Sequence, residues 1–162
     1  MVLDADALNI VSKHQKNIRS VPQQSIITPH PKEFERLFGS TENSYQRLDL
    51  ACKKAAELHI YIVLKDHHTQ VITPEGKVYY NITGNSGLAK GGSGDILTGA
   101  VTSLLAQGYS QEEACILGVW LHGKAAEYAS EKHSRESVLP TDVIDAFGSV
   151  FNELNRRTFK SL

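Results

Sequence analysis

The sequence has no apolar run long enough to cross a bilayer and no signal-like N-terminus, which leaves the cytoplasm as the default compartment. It has almost no net charge: 17 Lys and Arg against 18 Asp and Glu give −1. A chain so balanced has no general field to draw nucleic acid or an anionic membrane onto it, so any phosphate recognition must be local. Cysteine is scarce. Cys52 and Cys115 are far apart, each on the apolar side of a predicted helix, a placement that suits buried thiols in a reducing compartment rather than a disulfide. In that compartment the Asn81-Ile82-Thr83 glycosylation sequon is incidental. No internal repeat, low-complexity stretch or linker divides the chain, so its 162 residues read as one soluble globular unit. The standard phosphate fingerprints are missing too. Starting from Gly92, G-x-G-x-x-G fails at Leu97; a G-x-x-x-x-G-K match at Gly118 to Lys124 lies within a predicted helix and is followed by Ala125 where a magnesium-binding hydroxyl is needed.

What is present is a glycine-rich stretch, Asn81 to Gly99, with six glycines. Five of them precede Asp95, and Ile96, Leu97, Ala100, Val101, Leu104 and Leu105 then recur at the spacing of a buried helical stripe. A flexible loop therefore ends at a helix N-terminus, where unpaired amides and the positive end of the dipole favour a phosphate or a developing oxyanion. Glycines alone are turn punctuation, and an Asp in a first turn is an ordinary dipole partner. Their conjunction points to an anion site with a carboxylate facing it, placed to take a proton from a substrate hydroxyl.

The rest of the chain alternates strands and helices, the α/β signature. Val2-Leu3 reads as the end of a strand that starts abruptly, followed by a polar loop or short helix over Asp4 to Asn9. Ser25 to Thr28 is a short buried strand halted by Pro29 and Pro31, and Glu33 to Phe38 is a short helix. A helix capped by Asn43 or Ser44 leads to a strand at Ile60 to Leu64. Lys65 to Thr69 leaves the C-terminal end of that strand, where open α/β sheets bind ligands. Gln70 to Thr73 and Lys77 to Asn81 form a hairpin around Pro74-Glu75-Gly76. Beyond the glycine loop, Gly108 stops one helix and Ser110 to Glu113 opens a long one with capping-box spacing. A last helix is capped by Thr141, and Asn155 to Leu162 is a basic end expected to fray. His67 and His68 have no Cys or further His nearby at ligand spacing, which argues against zinc. His122, beside Trp120 and Leu121, reads as core or interface.

The ordered segments LDADALN (3–9), TPHPKEFERL (28–37), VLKDHHT (63–69), NITGNSGLAKGGSGDILTG (81–99) and WLHGKAAE (120–127) closely resemble the ADP/ATP-dependent NAD(P)H-hydrate dehydratases. That family is a branch of the ribokinase-like fold. The resemblance covers residues 2 to about 150 and implies a three-layer α/β/α domain. It also implies that residues 1–162 form a single partial domain, lacking the early strands and part of the substrate pocket.

By position, the resemblance gives Asp95 the catalytic and substrate-contacting role, with His30 and Asn85 also on the substrate side. It assigns Lys65, Asp66, His67, His68, Thr69 and Gly94 to the adenine nucleotide, although Asp66 stands where many relatives have glycine. Gly91, Gly92, Ser93 and Gly94 resemble the anion hole. Related kinases carry Thr-Pro-Asn-x-x-Glu where this chain has Thr28-Pro29-His30-Pro31-Lys32-Glu33, which implies that Glu33 supports a magnesium or phosphate network. Asp4, Asp6 and Asn9 are expected to shape the same cleft. The implied reaction removes water from hydrated NADH or NADPH at the expense of ADP or ATP with Mg2+. No nucleic acid or membrane partner is implied, and a homo-oligomer is left open. Two rival readings are a ribokinase-like small-molecule kinase, against which His30 in place of the kinases' asparagine argues, and a non-catalytic nucleotide-binding fragment.

Overall fold

The computed structural model describes residues 1–13 and 15–160. Five strands form one sheet in the order β1 (Val2–Leu3), β2 (Ile26–Ile27), β3 (Tyr61–Leu64), β4 (Gln70–Ile72) and β5 (Val78–Tyr80). The first three are parallel and the last two antiparallel. Parallel strands need long crossovers. These are α1 (Ala5–Ser12) between β1 and β2, then α2 (Pro31–Phe38) and α3 (Ser44–Leu58) between β2 and β3.

The period of two in each strand sorts its side chains onto two faces. Ile27, Ile62, Leu64 and Ile72 pack with Leu8, Phe34, Ala51 and Ala55 of α1 to α3. Ile26, Tyr61, Val63 and Val71 face the other way, against α4 (Ser93–Ala106), α5 (Gln111–Ser137) and α6 (Pro140–Lys160). Two buried clusters on opposite faces of one sheet make a three-layer α/β/α arrangement, as the family resemblance implies.

Most caps match expectation. Asn43 accepts from the Gln46 amide at 2.9 Å, Gly108 takes φ 91°, and Ser110 with Glu113 forms a full capping box. Two features of the last helix do not. It starts at Pro140, whose missing N–H costs nothing there, and Asp142 accepts from the Leu139 amide at 2.8 Å; Thr141 is inside the first turn, not its cap. The basic end is helical through Lys160; ahead of it, Val143, Ala146 and Val150 dock into the core and Tyr128 donates to Glu153 at 2.6 Å. Leu162, at the far end of the stretch expected to fray, lies outside the described residues.

Register brings three loops to one edge. Leu64 pairs with Gln70, and Gln70 with Tyr80, so the chain leaves β5 toward the glycine loop beside the end of β3. The ends of parallel β1 and β2 point to that same edge.

Candidate active site

At this edge a cleft of ≈ 730 Å³ is lined by His30, by Lys65 to Thr69, by the loop after β5 from Asn81 to Lys90, and by Ser93, Gly94, His122 and Gly123. Of the residues singled out in the sequence, His30, Lys65, Asp66, His67, His68, Thr69, Asn85, Ser93 and Gly94 come together in it. Gly91 and Gly92 sit in the exposed turn just ahead of α4. Gly92 is the helix N-cap at φ 88°, with no side-chain cap over the first turn, a conformation that suits glycine.

Beneath that turn lies a charged cluster. Asp4 occupies the N-cap position of α1 but caps nothing. Its carboxylate instead accepts from Lys65 Nζ at 2.8 Å and from the Thr98 hydroxyl at 3.0 Å. Burial alone raises the Asp4 pKa, but Lys65, Thr28 and Thr98 outweigh it and hold the carboxyl below its ordinary range. Ala5, next to Asp4, has φ 44°, so the strand-to-helix turn that aims Asp4 is strained. A Cβ on Gly94 would lie 3.3 Å from both Asp4 Oδ2 and Lys65 Nζ. Gly94 therefore lets α4 sit directly on the ion pair.

His30 is the N-cap of α2. Its Nδ1 accepts from the amides of Lys32 and Glu33 at 3.1 and 3.2 Å, and the Glu33 carboxylate reaches back to the His30 amide at 2.8 Å. Glu33 is buried, with Oε2 3.9 Å from Lys65 Nζ. Among the described residues no group of three His, Cys, Asp or Glu gathers to hold a metal. Glu33, which the resemblance gives to a magnesium or phosphate network, has its oxygens on the His30 amide and beside the Lys65 ammonium.

Asp66 departs from the expected glycine by turning its side chain to Arg47 of α3 at 2.8 Å, which anchors the loop from outside. Asn85 accepts from the Gly87 amide at 2.9 Å and donates to Ser130 at 3.0 Å, so it braces the glycine loop. Lys90 donates to the carbonyls of Glu136 and Val138, both at 2.6 Å, tying the loop to the end of α5.

Asp95 is the one predicted catalytic residue that points elsewhere. It is exposed and lines a separate, mostly apolar groove of ≈ 510 Å³ between α4 and α6, with Ile96, Ala100, Ile144, Phe147 and Phe151. The first turn of α4 therefore divides two concavities, with Gly94 facing one and Asp95 the other.

His122 is the cleft residue the sequence reading missed. It is 7% exposed, and its Nε2 lies 3.3 Å from Ser93 Oγ. Burial, then the Lys65 charge, pushes its pKa down to about 4, against a hydrogen bond with the Ser93 backbone. Helical periodicity places it inside but cannot say what it meets there.

The chain matches the profile of the NAD(P)H-hydrate dehydratase family over residues 1–148. It is 45% identical to the ADP-dependent (S)-NAD(P)H-hydrate dehydratase of Neisseria meningitidis across 81% of this chain and 46% of that protein. Its fold superposes on the ADP/ATP-dependent NAD(P)H-hydrate dehydratase of Bacillus subtilis, co-crystallised with ATP/Mg2+, with TM-score 0.81 and 36% identity over 94% of this chain and 54% of that one. A ribokinase-like superfamily protein of Enterococcus faecalis aligns with TM-score 0.78 and 28% identity, covering 94% and 52%. The chain spans about half the length of these relatives. With its cleft at the strand ends, its glycine loop and its matched sequence, the chain belongs to the NAD(P)H-hydrate dehydratase family, on a ribokinase-like α/β fold.

Proposed function

We propose that this chain carries the nucleotide cleft and the catalytic aspartate of an ADP- or ATP-dependent dehydration of hydrated NADH or NADPH. The observation that carries the reading is the convergence of Lys65 to Thr69, His30 and the uncapped N-terminus of α4 on one cleft. Adenosine packs along Lys65 to Thr69, and the phosphates run toward the first-turn amides of α4. Asp95, across the helix turn, takes the proton of the ring hydroxyl as that oxygen bonds the terminal phosphorus. The bridging bond breaks toward the departing nucleotide. The ring nitrogen then expels phosphate, and loss of a ring proton restores the double bond. The nucleotide phosphates would carry magnesium, which would neutralise charge there. Because the helix dipole stabilises the Asp95 carboxylate, that residue acts chiefly through position. A cytoplasmic setting belongs to this reading, supported by two free cysteines, of which Cys115 is buried.

A second reading, a nucleotide-binding unit without turnover, is favoured by one observation: Asp95 opens onto a groove walled by apolar side chains of α4 and α6. One assay separates the two. Purified chain is mixed with hydrated NADH, magnesium and either ADP or ATP, and NADH absorbance is followed. Its return supports the dehydratase; nucleotide binding without any return establishes the binding unit.

A further inference from the structure

Two polar side chains from different helices meet in the floor of the cleft, and no motif in the sequence pairs them. Ser93 is the first residue of α4 and His122 lies midway along α5; both are 7% exposed and both line the cleft. Resting on the nucleotide reading above, we propose that His122 is a positioning residue. It holds Ser93 so that the serine hydroxyl donates to the terminal phosphate of the nucleotide on the α4 N-terminus.

The geometry leaves His122 little freedom. A Cβ at the next residue, Gly123, would lie 2.2 Å from Thr83 Oγ1 and 2.7 Å from the Thr83 carbonyl carbon, so α5 is seated directly on the loop after β5. One turn back, the Trp120 carbonyl accepts from the Thr83 hydroxyl at 3.2 Å. The imidazole projects from this clamped segment, and its Nε2 stands 3.3 Å from Ser93 Oγ. Buried and close to the Lys65 charge, the ring stays neutral at physiological pH. A neutral imidazole has a single N–H. With the proton on Nε2, the ring donates to Ser93 Oγ and the serine hydrogen is free to point at an anion. With the proton on Nδ1, the serine hydrogen is spent on the ring. A phosphate beside Ser93 brings an acceptor for that hydrogen and so selects the first tautomer. The Ser93 amide is already used, donating to the Lys90 carbonyl at 3.3 Å. The hydroxyl is thus the donor this residue has left for a ligand.

The test compares His122→Gln, which keeps an N–H donor at the reach of Nε2, with His122→Met, close in size but without one, and with Ser93→Ala. Each variant and the unmodified chain is titrated calorimetrically with ADP and, separately, with adenosine. Ser93→Ala and His122→Met are expected to weaken ADP about ten- to a hundredfold, the loss of one hydrogen bond to a charged group, and to leave adenosine unchanged. Their double variant should lose no more than either alone, and His122→Gln should bind ADP like the unmodified chain. Equal weakening of adenosine and ADP by His122→Met would reduce His122 to packing and overturn the inference. So would additive losses in the double variant, or ADP binding by His122→Met as tight as that of His122→Gln. An unmodified chain that binds neither ligand overturns the nucleotide reading itself, a result distinct from all of these.

Discussion

The Lys65 ammonium lies 2.8 Å from Asp4 Oδ1, joining the end of β3 to the end of β1 directly beneath the first turn of α4. The pair is part-buried, the Asp4 side chain 8% and the Lys65 side chain 21% exposed, and the Glu33 carboxylate lies 3.9 Å from the ammonium. Removing the Asp4 charge strips Lys65 of its nearest partner. The folded pKa of Asp4 is below its unfolded value. Its contribution is therefore present above the unfolded pKa and is lost as pH falls through the folded one. Asp4→Asn is expected to cost about 1–3 kcal/mol at neutral pH, with the deficit shrinking in acid. Urea unfolding at pH 7 and at successively lower pH measures both; a deficit independent of pH would contradict the ion-pair account.

Three glycines separate close approach from mere flexibility. A Cβ on Gly123 collides with Thr83, and one on Gly94 presses on Asp4 and Lys65, whereas one on Gly148, on the exposed face of α6, meets nothing within 4 Å. Gly123→Ala should destabilise by about 1–3 kcal/mol through overpacking. Gly148→Ala should stabilise by roughly 0.5–1 kcal/mol through helix propensity. Gly94→Ala should change stability little by comparison and weaken ADP binding. Chemical denaturation and calorimetry check all three, and a stable, freely binding Gly123→Ala would show that the α5–Thr83 contact is loose.

His122 makes stability depend on pH in a defined window. The folded group titrates at about 4 and the unfolded one at about 6.5, so the unfolded chain binds the extra proton first. Stability supplied by the neutral ring is intact above the unfolded value, falls as pH drops from there toward about 4, and levels off below. The span corresponds to roughly 3 kcal/mol. His122→Gln should remove this part of the slope, seen as a stability difference between the two proteins that changes across the window. Parallel curves throughout the window would mean that the ring is charged when folded.

Asp95→Asn should abolish return of NADH absorbance, by about a hundred-fold or more, while leaving ADP affinity nearly unchanged. The second expectation follows because Asp95 lines the α4–α6 groove and not the cleft at the strand ends, where the nucleotide is proposed to bind. Tight coupling of the two losses would mean that the carboxylate faces the nucleotide after all.

Much of this molecule is legible in one dimension because the signals are local. The alternation of Ile26 and Ile27, and of Tyr61 to Leu64, assigns each side chain to a face of the sheet through the two-residue period of a strand. Asn43 and the Ser110–Glu113 box start helices through contacts three residues apart. Thr141 misled because a hydroxyl before an apolar run resembles a cap, while Pro140 and Asp142 together start the helix two residues earlier. His30 entered as a ligand candidate by resemblance; that it also caps α2 is equally local, and an imidazole is an uncommon capping side chain beside Ser, Thr, Asp and Asn.

By itself, then, the sequence determined the alternation of strands and helices and the glycine loop ending at a helix N-terminus, which depend on residues close along the chain, and its ordered motifs carried the resemblance that implied the family and the three layers. Tertiary structure decided the rest. It paired Asp4 with Lys65 across 61 positions and Ser93 with His122 across 29. It turned Asp66 toward Arg47, and it sent Gly94 and Asp95, adjacent in sequence, into two different concavities. Neighbours on a helix project about 100° apart, so which hollow each one meets depends on what packs against either side of α4, and those partners lie far away in sequence.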